Sequence, residues 1–238
     1  MLDESFKEQL RGIFAGLNNR FQLDIHVSAE HESRRELLEL LNGVAECSGG
    51  NITCEEKPGA GLEFSLLKNG TPTGIKFRGV PTGHEFTSLL LAILNSDGKG
   101  KNIPDESILK RVRAIKGNIR LTTYVSLTCT NCPDVVQALN VMAIANPHIS
   151  HEMVDGAINQ TEVDALKIQG VPAVFADGKM IHSGKADFGE LLVKLEAHFG
   201  TESVEESAAK EYDVLVAGGG PAGVAAAIYS ARKGLKVG

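Results

Sequence analysis

The sequence predicts an α/β protein made of two similar halves, followed by the first strand and helix of a third unit. Three observations support this prediction. The strand and helix pattern of residues 21–46 returns at 119–144, hairpin dipeptides occupy matching places in the two halves, and a glycine-rich turn joins an apolar stretch to an alanine-rich helix near residue 220. The chain is long enough to bury one or two full cores.

The repeated pattern consists of an alternating strand, a short turn, and a helix with apolar residues at helical spacing. Setting Val27 on Val125 gives a shift of 98 positions. A short strand follows each helix, near 51–55 and near 149–154. A chance similarity between two α/β stretches is the alternative to a true duplication.

A β-hairpin and a further helix complete each half. Asn69-Gly70 and Asp177-Gly178 are dipeptides that two-residue hairpin turns favour, and strand-forming residues flank both. Helices are predicted next, over 86–94 and 188–198. Each half therefore combines a parallel pair of strands with an antiparallel pair.

Polar segments separate the predicted domains. The first half spans 1–103, and the second spans 104–199 and opens with a helix over 106–116. Residues 200–211 carry four Glu and one Lys and predict a solvated linker or a loose helix. The incomplete last domain covers 212–238.

Composition and charge exclude several classes of function. The chain has 238 residues, 42% of them hydrophobic, and a formal net charge of −6, which argues against nucleic-acid and anionic-membrane partners. The longest relevant apolar run, 89–94, is far shorter than the roughly 20 residues of a membrane-spanning helix. The N-terminal residues predict an amphipathic helix and not a signal peptide. With only four cysteines, we expect a reducing, cytoplasmic location.

The C-terminal segment carries a glycine-rich turn. A buried apolar strand is predicted at 214–217, followed by Gly218, Gly220 and Gly223 and then by a helix. The glycines fit G-x-G-x-x-G in the context of a Rossmann-type dinucleotide-binding turn. The acidic residue expected about 20 positions further on is absent, so we expect the front part of a longer flavoprotein, separated by truncation or proteolysis.

Cys129 and Cys132 form a Cys-x-x-Cys pair with four interpretations. Zinc usually requires four ligands, but the sequence offers no second close pair, and His148 and His151 are expected at the surface. A structural disulfide does not suit a reducing compartment. Two inert core thiols are the third interpretation. A Cys-x-x-Cys pair between a strand and a helix favours the fourth, a redox role.

The neighbouring residues support the redox role. Pro133 suits the first turn of a helix, so Cys129 is predicted at the helix N-terminus, where free N–H groups stabilise a thiolate. Cys132 lies one turn further in, where it can resolve a mixed disulfide. Thr128 and Pro133 are predicted to support the pair.

A second element of the predicted site is Val171-Pro172, some 40 residues after the cysteine pair. It resembles the cis-proline of thioredoxins, and a cis bond is uncommon outside such conserved turns. We expect Pro172 to hold the Val171 backbone beside the sulfurs, ready to pair with an extended peptide. An ordinary trans proline at a sheet edge is the alternative.

The first half lacks this chemistry. The repeat places His31 and Arg34 over the two cysteines and Leu62 over Pro172. Cys47 and Cys54 are predicted to be small core or strand thiols.

Glu85 stands at the start of a predicted helix in the first half. A carboxylate is favoured there by the helix dipole, so capping is one interpretation. The other places Glu85 across the interface of the halves, near Cys129, where it tunes the thiol.

These features together resemble the flavoprotein subunit of bacterial alkyl hydroperoxide reductase. The motifs that carry the resemblance cover essentially the whole chain: GHEFTSL, NCPDVVQALN, GVPAVF and GPAGVAAAIYSARKG. The resemblance implies two tandem thioredoxin-like folds, with redox cysteines only in the second, followed by the truncated start of a Rossmann-type FAD-binding domain.

The resemblance also implies an electron path. The complete protein would take electrons from NADH through FAD and a second Cys-x-x-Cys in its C-terminal part. Cys129 and Cys132 would pass them to the disulfide of a partner peroxiredoxin, which reduces alkyl hydroperoxides and hydrogen peroxide. A homodimer is implied for the full-length protein, and neither FAD nor NADH is expected to bind this chain alone. The alternatives are a general thioredoxin-like protein-disulfide reductase and a non-catalytic partner-docking module.

Overall fold

The structure is a computed structural model that describes residues 3–202 and 212–238. It contains two compact units, Met1–Glu202 and Ser203–Gly238, which are described separately. Most of the predicted linker, 200–211, lies outside the described residues.

The first unit begins with an amphipathic helix whose buried face holds Leu10 and Phe14, and Asp3 caps its N-terminus by accepting from the Phe6 N–H at 2.8 Å. The first half consists of α1 (Glu4–Phe14), β1 (Phe21–Val27), α2 (Arg34–Glu46), β2 (Ile52–Pro58), β3 (Leu62–Lys68), β4 (Thr71–Arg78) and α3 (Glu85–Ser96).

The second half repeats this order with one added helix, which the sequence did not predict. It consists of α4 (Glu106–Arg113), β5 (Ile119–Val125), α5 (Cys132–Ala145), β6 (Ile149–Asp155), α6 (Gln160–Ala165), β7 (Ala173–Ala176), β8 (Lys179–Ser183) and α7 (Phe188–Phe199). α6 is the addition, and α4 ends earlier than the predicted helix over 106–116.

All eight strands form one sheet in the order β2-β1-β3-β4-β6-β5-β7-β8. Each half contributes four strands in the same order, and β4 joins the halves by pairing in parallel with β6. The strand registers agree with the predicted repeat. Val27 lies opposite Leu62, and Tyr124 lies opposite Ala173, so one step further along the second ladder Pro172 takes the place of Leu62.

Both predicted hairpin turns are confirmed. Asn69 and Gly70 have φ values of 50° and 80°, and Asp177 and Gly178 have 46° and 82°. Two successive residues with positive φ are typical of the type I′ turn, which matches the twist of the flanking strands.

A continuous apolar core runs beneath both halves. α5 lies at its centre, with most of its residues buried, and packs against α3 of the first half. Phe64 and Phe77 stack within the core with ring centroids 5.0 Å apart. Burial of each such ring stabilises the fold by roughly 2–3 kcal/mol. α5, which begins at Cys132, also packs against β4, β5 and β6, so this helix rests on elements of both halves.

In the second unit, α8 (Pro221–Arg232) follows the glycine-rich turn, as predicted, and has Pro221 in its first turn. The stretch 214–217, predicted to be a buried strand, pairs in parallel with residues 236–238: the Val216 N–H donates to the Gly238 carbonyl at 2.9 Å, and the Gly238 N–H donates to the Val214 carbonyl at 3.0 Å. The predicted burial is wrong, since Leu215 is 76% exposed.

Among residues 3–202 and 212–238, no helix has both the length and the apolar character that crossing a membrane requires.

Candidate functional site

Cys129 and Cys132 lie where the β5–α5 loop enters α5 and are joined by a disulfide, with their Cα atoms 5.5 Å apart. Cys129 is half-buried in the loop, and Cys132 is the first residue of the helix and fully buried. The two sulfurs therefore differ in access: an incoming group can reach Cys129 but not Cys132.

One backbone N–H points at the accessible sulfur. The N–H of Cys132 donates to Cys129 Sγ at 3.1 Å, and the N–H of Cys129 donates to the Ser126 carbonyl at 2.9 Å. Thr128 is exposed and its hydroxyl lies 3.1 Å from the Ser126 hydroxyl, while Pro133 occupies the first turn of α5. The N–H donor and the helix dipole both favour negative charge on Cys129 when the disulfide is reduced.

Pro172 brings a second loop to the sulfurs. The Val171-Pro172 bond is cis, as predicted, and Pro172 is buried. The Val171 carbonyl oxygen lies 3.9 Å from Cys129 Sγ. The backbone of Val171 therefore forms one wall of the site.

Glu85 is fully buried at the start of α3, and neither carboxylate oxygen has a hydrogen-bond partner among the described residues. Glu85 therefore does not cap α3 through a hydrogen bond to a helix N–H. Burial raises the pKa of Glu85 to about 7, and the nearby Ser88 hydroxyl lowers it by a smaller amount.

Two contacts show which part of the second half faces Glu85. The His84 N–H donates to the Leu127 carbonyl at 3.3 Å, and Gln137 Nε2 donates to the Ser88 hydroxyl at 3.4 Å. His84 and Ser88, which flank Glu85 in the sequence, therefore contact the stretch 127–137 that holds both cysteines.

The sequence reasoning was wrong about His151. His148 is exposed, but His151 is 1% exposed, with Nδ1 2.7 Å from Asn140 Oδ1 and Nε2 2.8 Å from Thr123 Oγ1. Burial lowers the pKa of His151 to about 3, so this imidazole is neutral. The alternating pattern of β6 could have shown it, since His151 shares a face with Ile149 and Met153.

The remaining cysteines lie away from the pair. Cys47 is buried after α2, Cys54 is half-buried in β2, and both thiols are free. Burial raises the pKa of Cys54 to about 11, so the thiol is unreactive. Within the described ranges, no group of three or more His, Cys, Asp or Glu side chains could hold a metal ion.

The sequence reasoning also missed Arg78 and Glu162. Arg78 in β4 and Glu162 in α6 are 84 residues apart in the chain, and their side chains lie 2.6 Å apart in the structure. No local motif indicates such a pair.

The glycines of the second unit form a tight turn before α8. Gly218 has a φ of 116°, in the region that favours glycine, and a Cβ at Gly223 would overlap the Gly218 carbonyl oxygen. Gly220 is the N-cap of α8. This geometry fits a backbone that approaches a pyrophosphate at a helix N-terminus.

Known proteins share this arrangement. A thioredoxin-domain family model matches residues 119–196, which contain the cysteine pair and Pro172. The chain is 40% identical over 240 residues to the alkyl hydroperoxide reductase AhpF of Pseudomonas aeruginosa and 39% identical over 238 residues to a Bacillus subtilis protein named NADH dehydrogenase. Each match covers the whole chain but 46% of the relative, so this chain spans less than half the length of these proteins.

A solved structure gives the same result. The N-terminal N/C domain of the alkyl hydroperoxide reductase AhpF from Enterococcus faecalis superposes with a TM-score of 0.74 at 34% identity. The match covers 82% of this chain and all of that domain. Thioredoxin-like folds are therefore present, as the sequence predicted.

Proposed function

The chain belongs to the AhpF family of alkyl hydroperoxide reductases and corresponds to the N-terminal part of its members, and we propose that it is the thiol–disulfide relay of a peroxiredoxin reductase. The observation that carries the proposal is the Cys129–Cys132 disulfide, with its accessible sulfur between a backbone N–H donor and the Val171 carbonyl. The proposed substrate is the disulfide of a partner peroxiredoxin, which in turn reduces alkyl hydroperoxides and hydrogen peroxide.

The reaction exchanges two electrons. In the reduced chain, the Cys129 thiolate attacks one sulfur of the partner disulfide, and the other partner sulfur leaves as a thiolate and takes up a proton. Cys132 then loses its proton and attacks Cys129 Sγ, so the partner's second thiol is released and Cys129–Cys132 becomes a disulfide. One disulfide is reduced and one is formed. The Cys132 N–H stabilises the Cys129 thiolate before attack.

Glu85 is the proposed proton acceptor for this exchange. Its carboxyl group is buried beside the dithiol stretch and has a pKa of about 7, which suits a group that takes up and returns a proton near neutral pH. Ionisation of Glu85 in turn disfavours a second nearby negative charge, so it tunes the thiols.

The complete protein is proposed to draw its electrons from NADH, with Gly218, Gly220 and Gly223 holding the FAD pyrophosphate. The chemistry that FAD would supply when bound is the transfer of two electrons from a hydride donor to a dithiol. In this chain, the backbone of the glycine turn and the N-terminus of α8 would bind the pyrophosphate, and Cys129–Cys132 would accept electrons from a further dithiol in the parent chain. The segment 200–211 is proposed as the linker between these domains.

A general protein-disulfide reductase is the second candidate, and it is favoured by the Val171 backbone, which can pair with any extended peptide. A passive docking module is disfavoured by the different exposure of the two sulfurs. Two free cysteines and a low cysteine count fit a reducing, cytoplasmic location.

The test uses the chain reduced with dithiothreitol and mixed with an oxidised peroxiredoxin. We expect stoichiometric transfer to the peroxiredoxin disulfide, complete loss with Cys129→Ser, and a trapped mixed disulfide with Cys132→Ser that mass spectrometry detects at Cys129. Cys54→Ser is the matched control and should leave transfer unchanged. Transfer that survives Cys129→Ser would refute the relay, and insulin reduced as fast as peroxiredoxin would favour the general reductase.

A further inference from the structure

The first half contacts the substrate-binding side of the redox half through Arg78. This residue ends β4, where its register partner in β6 is Val154. Arg78 Nη2 lies 2.6 Å from Glu162 Oε2, and Arg78 Nε lies 3.4 Å from Glu152 Oε2. An arginine of the half without redox cysteines therefore binds a carboxylate on α6, the helix that the first half lacks.

α6 is otherwise held by a small apolar cluster, separate from the main core. Tyr124 and Phe175 form its base, with their rings edge-to-face at 5.4 Å. Side chains that follow or belong to α6 pack on this base: Val163, Leu166 and Ile168. The Tyr124 hydroxyl also donates to Glu162, so Glu162 is shared by one residue from each half.

The chain runs directly from α6 to the disulfide. Just after α6, Lys167 has a φ of 54°, and the Ile168 N–H donates to the Val163 carbonyl at 3.1 Å. Three residues later, the Val171 carbonyl lies 3.9 Å from Cys129 Sγ. Residues 166–171 thus connect the Glu162 contact to the wall of the site, and a shift of α6 moves that wall.

We propose that Arg78 is a positioning residue for peptide substrates: through Glu162 it fixes α6 and residues 166–171, and so keeps the Val171 backbone in place to pair with the segment that carries the substrate disulfide. This role rests on the proposed function, since it specifies how that site binds its substrate. It does not involve the sulfur chemistry itself. Small disulfides that need only Cys129 should be indifferent to Arg78, whereas peptide disulfides should not.

The test measures single-turnover reduction by the full 238-residue chain, which is first reduced with dithiothreitol and then separated from it by gel filtration, because free dithiothreitol itself reduces the substrates. Three disulfides in excess over the chain are compared: oxidised peroxiredoxin, insulin, and the small aromatic disulfide DTNB. For Arg78→Met we expect the half-saturating concentration (KM) for peroxiredoxin and insulin to rise about fivefold, with the limiting rate and the DTNB rate within about twofold of wild type. Arg78→Lys, which keeps the charge, should recover part of the loss.

Two further variants complete the design. Glu162→Gln removes the negative charge of Glu162 while keeping the side-chain volume, and it should raise KM for peroxiredoxin and insulin as Arg78→Met does. If Arg78→Met does not fold, Glu162→Gln therefore tests the proposal alone. Arg120→Met is the matched control: its side chain is 84% exposed at the start of β5, 3.6 Å from Asp177, and its loss should leave KM unchanged.

Unchanged KM values in folded Arg78→Met and Glu162→Gln would overturn the proposal, as would an equal loss of rate on insulin and DTNB. A wild-type chain that reduces insulin but not peroxiredoxin would contradict the proposed function alone, and the insulin arm would still decide the role of Arg78.

Discussion

The two halves of the first unit share one strand order, but only the second half carries the cysteine pair. β1 leads through a loop to α2, which begins at Arg34, and Arg34 pairs with Glu56. β5 leads through the equivalent loop to α5, which begins at Cys132, and there the loop carries Cys129. The fold offers the same helix N-terminus twice, and only the residues placed there make one of them a redox site.

The halves also differ in how their parallel and antiparallel strand pairs are connected. β2 ends at Pro58 and β3 begins at Leu62, whereas residues 156–172, including α6, separate β6 from β7. The longer connection forms the Val171 wall. The half without redox cysteines has no such wall, and Arg78 of its β4 contacts Glu162 in the longer connection of its neighbour.

The variant with the largest expected effect tests whether the two halves unfold in one cooperative transition. Phe77 is fully buried against Phe64 in the first half, on the strand that pairs with β6. Phe77→Ala should cost about 3–5 kcal/mol, and because the sheet is continuous both halves should unfold together at a lower urea concentration. Hydrogen exchange followed by mass spectrometry on peptides from each half checks this.

The control for this variant is Phe6→Ala. Phe6 is half-buried on α1 and packs beside Phe86 with ring centroids 5.4 Å apart, so a smaller loss is expected. Two separate transitions in Phe77→Ala, with the second half keeping its wild-type midpoint, would show that the repeat behaves as two independent domains.

The sequence was sufficient for the features that depend on local patterns. Alternating strands, the Asn69-Gly70 and Asp177-Gly178 turns, and the Pro133 helix start follow from residues close together in the chain, and all are present. Likewise, the resemblance of Val171-Pro172 to the cis-proline of thioredoxins implied a place beside Cys129, and the structure has the Val171 carbonyl there.

Features that depend on tertiary packing could not be obtained in this way. The burial of Glu85 results from α3 packing on α5. α6 is a six-residue helix, too short for a clear period. The stretch 214–217 has the composition of a buried strand, but its burial requires neighbouring strands that the described residues do not provide.

The second prediction concerns a strand position that the two halves share. Cys54 faces Leu23 in the first half, and His151 faces Leu121 in the second, so the two occupy equivalent sites. Between pH 6.5 and about 3 the unfolded chain protonates His151 while the native chain does not, so stability falls as the pH drops. We expect His151→Gln to remove about 3 kcal/mol of the stability difference between pH 7 and pH 4.

Urea unfolding at both pH values provides the measurement. Cys54→Ser is the control: the native thiol has a pKa of about 11 and stays neutral throughout this range, so the slope of stability against pH should not change. Parallel pH curves for wild type and His151→Gln would mean that His151 gains a proton in the native state, contrary to its burial.

The smallest expected effect concerns the helix starts of α3 and α7, which correspond in the two halves. Glu85 begins α3 and is buried, whereas the α7 start has an exposed carboxylate, Glu190, in a capping box with Asp187. Because the native pKa of Glu85 is about 7, the native state keeps a proton that the unfolded state loses between pH 4.5 and 7. Stability should therefore fall as the pH rises through this window, by about 2 kcal/mol after allowance for the helix dipole.

Glu85→Gln should abolish this fall and, in the same protein, lower the rate of disulfide transfer at pH 8 about tenfold, since the proton acceptor is lost. The pH profile of transfer should lose its inflection near 7. Glu190→Gln should change neither quantity beyond the few tenths of a kcal/mol that a weakened cap costs. If Glu85→Gln keeps both the rate and the inflection, the proton passes through solvent, and the first half serves the redox site by packing alone.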